Sequence, residues 1–312
     1  MSKDNRIETK AAPAIGAPEL ALITITCMWG ATFLIVHNAV AASGALLFVG
    51  MRFGVAALLP GLIFFRQVRG LTRAELAAGA LIGVSIFGGY SLQTYGLMSI
   101  SSSRSAFITA FYVPFVPILQ WLVLRQRPSL MAWIAVGIAF VGLVLITGPD
   151  GVASGISSGD LLTMLGAVAI AAEILLISRV APGLNIVRVT VVQLATASLL
   201  ALGGALISRE PTPELNLLYV GSAIALGVMS AIIQYVMNWA QKRIAATKAT
   251  LIYAGEPIWA GLVGAIAGER ITPLAAVGAL LIVCANIIGE LKLKKIIKTA
   301  KTEKTAQTGS KR

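Results

Sequence analysis

Residues 95–146 read YGLMSISSSRSAFITAFYVPFVPILQWLVLRQRPSLMAWIAVGIAFVGLVLI, and residues 238–288 read NWAQKRIAATKATLIYAGEPIWAGLVGAIAGERITPLAAVGALLIVCANII. Slid together by 143 positions, Pro114 falls on Pro257, Arg127 on Arg270 and Ser129 on Thr272. Arg104 meets Lys248 once one extra residue is allowed before Pro114 in the first copy. Each copy runs from a small-polar turn with a cation into an apolar helix with a proline. A charged turn ending in Arg and a second apolar helix follow. A repeat of this length sets the architecture. In a membrane protein, two weakly similar halves point to a transporter built from structural repeats.

The rest of the chain fits that setting. Of 312 residues, 57% are hydrophobic and 12% charged, and the mean hydropathy is +0.86. A water-soluble domain carries about 25% charged residues. Apolar runs long enough to cross a bilayer recur along the chain. They are continuous rather than alternating, so they are helices, which satisfy their own backbone groups in lipid. The expected fold is therefore an all-α integral membrane protein. The net charge of +12 does not indicate nucleic acid, because the basic residues cluster between and after the apolar runs. Eight of them lie in the tail from Lys292 to Arg312, where they suit anionic headgroups of a lipid bilayer. Cys27 and Cys284 both fall within apolar runs and read as small buried hydrophobes, not a disulfide framework.

Ten transmembrane helices are expected, at 19–40, 44–65, 74–98, 103–124, 129–147, 159–178, 186–207, 215–240, 247–268 and 272–291. Ser43-Gly44, Gly148-Pro149-Asp150-Gly151, Pro182-Gly183 and Pro211-Thr212-Pro213 mark turns between them. Ser129 and Thr272 are placed as N-caps of the fifth and tenth helices. Residues 1–18 form a cytoplasmic leader, 19–147 the first repeat, 159–291 the second and 292–312 a basic cytoplasmic tail. With the N-terminus inside, the inside segments hold 21 of the 25 Lys and Arg residues and the outside segments three, Arg104, Arg209 and Arg270. The positive-inside rule then puts both termini in the cytoplasm of a multi-pass protein of the cell (inner) membrane. Five helices per half is an odd number, so the halves are inverted relative to one another, an architecture associated with alternating access.

The sequence resembles the EamA-type branch of the drug/metabolite transporter (DMT) superfamily. The resemblance rests on Trp29-Gly30-Ala31-Thr32-Phe33, on Arg52-Phe53, on SSSRSAFITAFYVPFVP and RQRPS in the first repeat, and on QKRIAATKATLIYAGEPIW and GERIT in the second. It covers residues 19–291, and two copies in the right order make it specific for the fold. It implies a ten-helix secondary transporter of two inverted five-helix repeats, in a family that often exports amino acids or other metabolites. The family is broad, so the resemblance implies little about the substrate. It also marks the Glu256-Pro257 pair as a family feature.

Ionisable residues within membrane spans are costly and are functional candidates by default. Glu173, in the sixth helix, reads as a site for a substrate amine or a proton, or as a structural carboxylate bonded between helices. Arg52, in the second helix, reads as a cation for a substrate carboxylate or as a helix-pinning residue. Glu256 precedes Pro257 in the ninth helix, where the proline frees a carbonyl. Tyr90, Gln93 and Thr94 form one polar stripe, and Gln234, Asn238 and Gln241 another at the matching place in the second half. Such stripes face an interior or tie helices together. Trp29, Tyr112, Tyr253 and Trp259 add aromatic surface, and Thr32 is the counterpart of Glu173 across the repeat. Gly50-xxx-Gly54 and Gly79-xxx-Gly83 are read as close packing faces.

The candidate substrate-binding residues are therefore Trp29, Thr32, Arg52, Tyr90, Gln93, Tyr112, Glu173, Gln234, Asn238, Tyr253, Glu256 and Trp259. The single histidine, His37, has no nucleophile paired with it, and metal-ligand spacing, a P-loop and a Rossmann glycine pattern are not found. The expectation is a secondary transporter of small organic metabolites with no cofactor and no enzymatic activity, acting on a small-molecule substrate. Two rival readings are a passive facilitator and, with less support, a lipid-modifying enzyme. A homodimer stays open.

Overall fold

The computed structural model describes residues 16–40, 44–125, 130–154, 156–211, 213, 217–244, 246–285 and 288. Regular structure among the described residues is entirely helical. The helices are α1 (Ala17–Val40), α2 (Ala45–Ile63), α3 (Phe65–Val68), α4 (Arg73–Leu97), α5 (Ser102–Thr109), α6 (Tyr112–Leu124), α7 (Leu130–Ser154), α8 (Ser158–Val180), α9 (Ile186–Ile207), α10 (Leu217–Gln241), α11 (Ala246–Tyr253), α12 (Glu256–Ile266) and α13 (Pro273–Ala285). Among the described residues, seven spans are long and apolar enough to cross a membrane, α5 and α6 together making one of them. Three shorter apolar stretches, Trp133–Gly142, Glu256–Ile266 and Pro273–Ala285, accompany them.

Local chemistry sets the helix ends. Thr72 and Glu75 form a capping box at the start of α4, and Ser157 and Asp160 form another at the start of α8, each satisfying two otherwise unmatched N–H groups. Asn185 caps α9. Thr272 caps α13, its Oγ1 accepting the Ala275 N–H at 3.1 Å, as the sequence predicts. Ser129, the other expected cap, lies outside the described residues.

Three expectations are corrected. α7 continues through Gly148-Pro149-Asp150-Gly151 to Ser154; a proline removes one hydrogen bond and kinks a helix without always ending it. Cys27 faces outward and is exposed, on the side of α1 that also presents Leu20 and Ile23.

The third correction concerns the proline-bearing helices of the opening repeat. Each is two helices, broken at Ala110-Phe111 and at Ala254-Gly255. The prolines do not kink a continuous helix there; they begin a new one. Pro257 sits in the first turn of α12 and Pro114 in the first turn of α6, where a missing N–H costs nothing. α5 and α11 have eight residues each, so Tyr112 and Glu256 are equivalent starts and Val113 is the extra residue of the first copy.

The halves interlock. α4 packs on α8 and α9, α2 on α9, α10 on α1 and α2, and α12 on α1. The glycine pairs permit this approach. A Cβ at Gly79 would stand 2.6 Å from Val192 Cβ, and one at Gly83 would stand 2.5 Å from the Gln193 carbonyl oxygen. A Cβ at Gly50 would meet Leu202 at 2.6 Å.

Candidate functional site

The two helix breaks meet. Tyr112, the first residue of α6, donates its hydroxyl proton to Glu256 Oε2 at 3.1 Å, and Glu256 is the first residue of α12. Both side chains are fully buried. A carboxylate at the start of a helix also faces the positive end of its dipole. Trp29 of α1 lies beside this junction. Its ring stacks on Tyr90 and on Tyr112, each at 6.4 Å between centroids, and meets Tyr253 edge-on at 5.9 Å. α1 comes this close because residue 30 is glycine: a Cβ there would stand 2.8 Å from the Ala260 backbone nitrogen.

Behind the rings runs a chain of buried amides. Gln234 Nε2 donates to Glu173 Oε1 at 2.8 Å, and Gln193 Nε2 donates to Gln234 Oε1 at 2.8 Å. Asn238 Nδ2 reaches Gln193 Oε1 at 3.2 Å, Thr190 Oγ1 at 3.1 Å and the Gln234 carbonyl at 2.9 Å. The direction of the chain is fixed at both ends. The Glu173 carboxylate takes the amide N–H at one end, and the Gln234 carbonyl holds the Asn238 N–H at the other. Gln241 continues the stripe, donating to the Tyr253 hydroxyl at 3.2 Å and accepting from Ser178 at 3.0 Å.

Arg52 is buried and its guanidinium lies over two rings, 5.1 Å from the Tyr90 centroid and 5.3 Å from that of Phe53. Its Nε donates to Ser230 Oγ at 2.7 Å. Tyr90 stacks on Trp29 and lies beneath the Arg52 guanidinium, so it joins the ring cluster to the cation.

Of the twelve candidates, eight belong to this cluster: Trp29, Arg52, Tyr90, Tyr112, Glu173, Gln234, Tyr253 and Glu256. Asn238 ends the amide chain. Thr32 and Gln93 are buried but engaged elsewhere, Thr32 with the Trp29 carbonyl and Gln93 with Thr109. Trp259 stands apart, 36% exposed on the outward side of α12 with Ile258 and Leu262. Thr190, Gln193 and Ser230 belong to the network and are absent from the sequence candidates. The i, i+3 spacing of Thr190 and Gln193 within an apolar run is the signal that marks them.

Carboxylates close the ends of the molecule across the two halves. On one face, Glu269 accepts the Ser102 and Ser103 N–H groups at 3.2 and 3.1 Å and the Ser102 hydroxyl, capping α5. Burial alone would raise its pKa, but these serine donors outweigh it and hold the carboxyl below the usual range. Beside it Arg104 pairs with Asp160 at 2.6 Å. A cavity of about 170 Å³ opens there, lined by Ser103, Arg104, Phe107, Glu269 and Arg270 among others. Glu210 takes the N–H groups of Leu46 and Leu47 at the start of α2, and the Tyr95 hydroxyl. On the opposite face Glu75 accepts the Asn185 N–H at 3.2 Å and pairs with Arg188 at the start of α9.

The EamA-like transporter family matches this chain twice, over residues 17–148 and 157–288. The chain belongs to the EamA-like transporter family. It is 28% identical over 277 residues to an "Uncharacterized transporter" of Archaeoglobus fulgidus, covering 88% of this chain and 86% of that one. It is 22% identical over 276 residues to the "Uncharacterized transporter YoaV" of Bacillus subtilis, covering 85% of this chain and 94% of that one. A solved crystal structure superposes with a TM-score of 0.64 at 17% identity, over 88% of this chain and 96% of the other; at that identity the likeness concerns the fold. This EamA-like protein is thus a multi-pass membrane protein of a transporter family.

Proposed function

We propose that this protein is a secondary transporter, working as an exporter, that moves small organic metabolites across the cytoplasmic membrane by alternating access. The cargo is amino-acid-like or amphipathic. The observation that carries this reading is the meeting of two broken helices, one from each repeat, through Tyr112 and Glu256, inside a buried cluster of rings and charges. Discontinuous helices at the interface of repeats place ends of half-helices, with their dipoles and unmatched groups, at mid-membrane depth. A purely structural core would have little reason to bury Glu173, Glu256 and Arg52 there. The basic loops and tail support the inner membrane, with both termini in the cytoplasm. The test is flux. The protein is reconstituted in liposomes and challenged with amino acids and related amphipathic solutes, with and without a proton gradient. Saturable, protein-dependent movement of at least one solute is expected; no flux of any would overturn the reading.

A further inference from the structure

We propose that Glu269 is the latch of an outer gate: it holds α12 against α5 across the two repeats, and its release parts the two helices. The outer face is the one that carries Arg104, Arg209 and Arg270. This rests on the alternating-access reading above and assigns the opening of one face to a single contact.

α5 belongs to the first repeat and α12 to the second, and the two helices pack together. The contact runs outward from the buried junction of Tyr112 and Glu256. A Cβ at Gly261 would stand 3.3 Å from the Phe107 ring. One at Gly264 would run into the Ser103 hydroxyl and stand 2.7 Å from Glu269 Oε2. These glycines are three apart on α12 and meet residues four apart on α5, so one face of each helix lies on the other. Glu269 closes the outer end. Its Oε1 accepts the Ser102 N–H and hydroxyl, and its Oε2 accepts the Ser103 N–H. The outer cavity stops at this contact. On α5 its lining runs from Ser101 to Phe107, while Ala106, Tyr112 and Glu256 are 0% exposed.

The other carboxylates at the helix ends do not single out a face. Glu210 takes N–H groups at the start of α2, and Glu75 takes one at the start of α9 on the opposite face. α2 and α9 are each the second helix of their repeat. These two contacts are mirror images, and both are closed at once. Arg104 ties α5 to α8 through Asp160, so α5 stays with α8 and the joint left to part is the one with α12. Glu269 guards that joint, and the repeat does not copy its charge: the slide of 143 positions sets Gln126 opposite it. Hydrogen bonds to a carboxylate are about twice as strong as neutral ones. Glu269 is also only half-buried, so water can take over its bonds as the helices separate.

A buried thiol under the gate tests this. Ala106→Cys, on a Cys27→Ser/Cys284→Ser background, is reacted with a hydrophilic maleimide in lipid nanodiscs, where both faces meet the reagent. Phe107→Cys, at a position 6% exposed in the parent, is the second reporter should Ala106→Cys fail to fold. Glu269→Gln sets an amide NH2 against a donor, because Ser102 and Ser103 donate to both carboxylate oxygens. It is expected to speed labelling about tenfold or more, the scale on which one lost hydrogen bond to a charged group shifts an equilibrium. Glu75→Gln, which removes the carboxylate at the opposite face, should leave labelling at the parent rate. Unchanged labelling in Glu269→Gln would overturn the proposal. An equal rise in Glu75→Gln would also overturn it, since that is general loosening. Flux through proteoliposomes is measured in parallel. If a solute moves while Glu269→Gln leaves labelling unchanged, the latch falls and the transport reading stands. If labelling rises in Glu269→Gln alone while no solute moves in the parent, the latch stands and the transport reading falls.

Discussion

Replacing Gln234 with leucine keeps the volume of the side chain and cuts the amide chain at two points. Gln234 Nε2 donates to Glu173 Oε1, and Gln234 Oε1 takes the Gln193 amide, both at 2.8 Å. The chain cannot relax by turning over. Asn238 Nδ2 lies 2.9 Å from the Gln234 carbonyl and 3.2 Å from Gln193 Oε1, so reversing the amides would set oxygen against oxygen. Side-chain hydrogen bonds in membrane proteins average about 0.6 kcal/mol and reach about 1.7 kcal/mol. Two lost bonds therefore cost about 1–3 kcal/mol. The upper end is favoured because Glu173, whose Oε2 has no partner among the described residues, then loses the bond to its other oxygen as well. The assay is reversible unfolding in mixed detergent micelles. It is run as a double-mutant cycle with Glu173→Leu, which should show a coupling on the order of 1 kcal/mol. A Gln234→Leu variant as stable as the parent, or zero coupling to Glu173, would refute the directional chain.

Three further outcomes follow from particular contacts. Gly83→Ala should destabilise by about 1–3 kcal/mol in the same unfolding assay, because its Cβ would stand 2.5 Å from the Gln193 carbonyl oxygen and 2.6 Å from Thr196 Cβ. That overpacking outweighs a gain in helix propensity of about 1 kcal/mol, and a stabilised variant would contradict it. Glu269→Ala should lower thermal stability, and the difference from the parent should depend on pH. The carboxyl is held below its ordinary range in the folded protein. Its contribution is therefore full above the ordinary carboxylate pKa of about 4.3 and is lost as pH falls through the lower folded value; a difference that grows in acid would contradict the capping role. Trp29→Ala should cut solute flux by about tenfold or more, equivalent to about 1.4 kcal/mol, and Trp259→Ala should leave it nearly unchanged; equal losses would dissolve the distinction between the buried and the outward ring.

Much of this arrangement is legible in the chain because lipid is a strict solvent. A polar or charged residue in an apolar run has few places to go, so Glu173, Arg52, Gln234 and Asn238 are visible as interior groups before any coordinates. The helix breaks are less visible. A proline in a long apolar run is equally consistent with a kink, and only the position of Pro114 and Pro257 in the first turn of α6 and α12 reveals two new helices. Trp259 shows the limit of residue type without phase. On α12 the buried set is Glu256, Pro257, Ala260, Gly261 and Gly264, a face of small residues that leaves Trp259 on the other side. Gln193 and Thr190 escape notice for a different reason. They lie outside the repeated stretch, and their polar spacing gains meaning only when α9 is set against α10.

The central claim is that the buried cluster around Glu173 and Glu256 is the transport site of an alternating-access protein. Counterflow in proteoliposomes tests it most directly: vesicles loaded with unlabelled solute, diluted into labelled solute, compared for the parent and Glu173→Gln. The account predicts a transient, saturable overshoot of label with the parent and its loss in the variant. Uptake with no overshoot, or an overshoot that Glu173→Gln leaves intact, would contradict it.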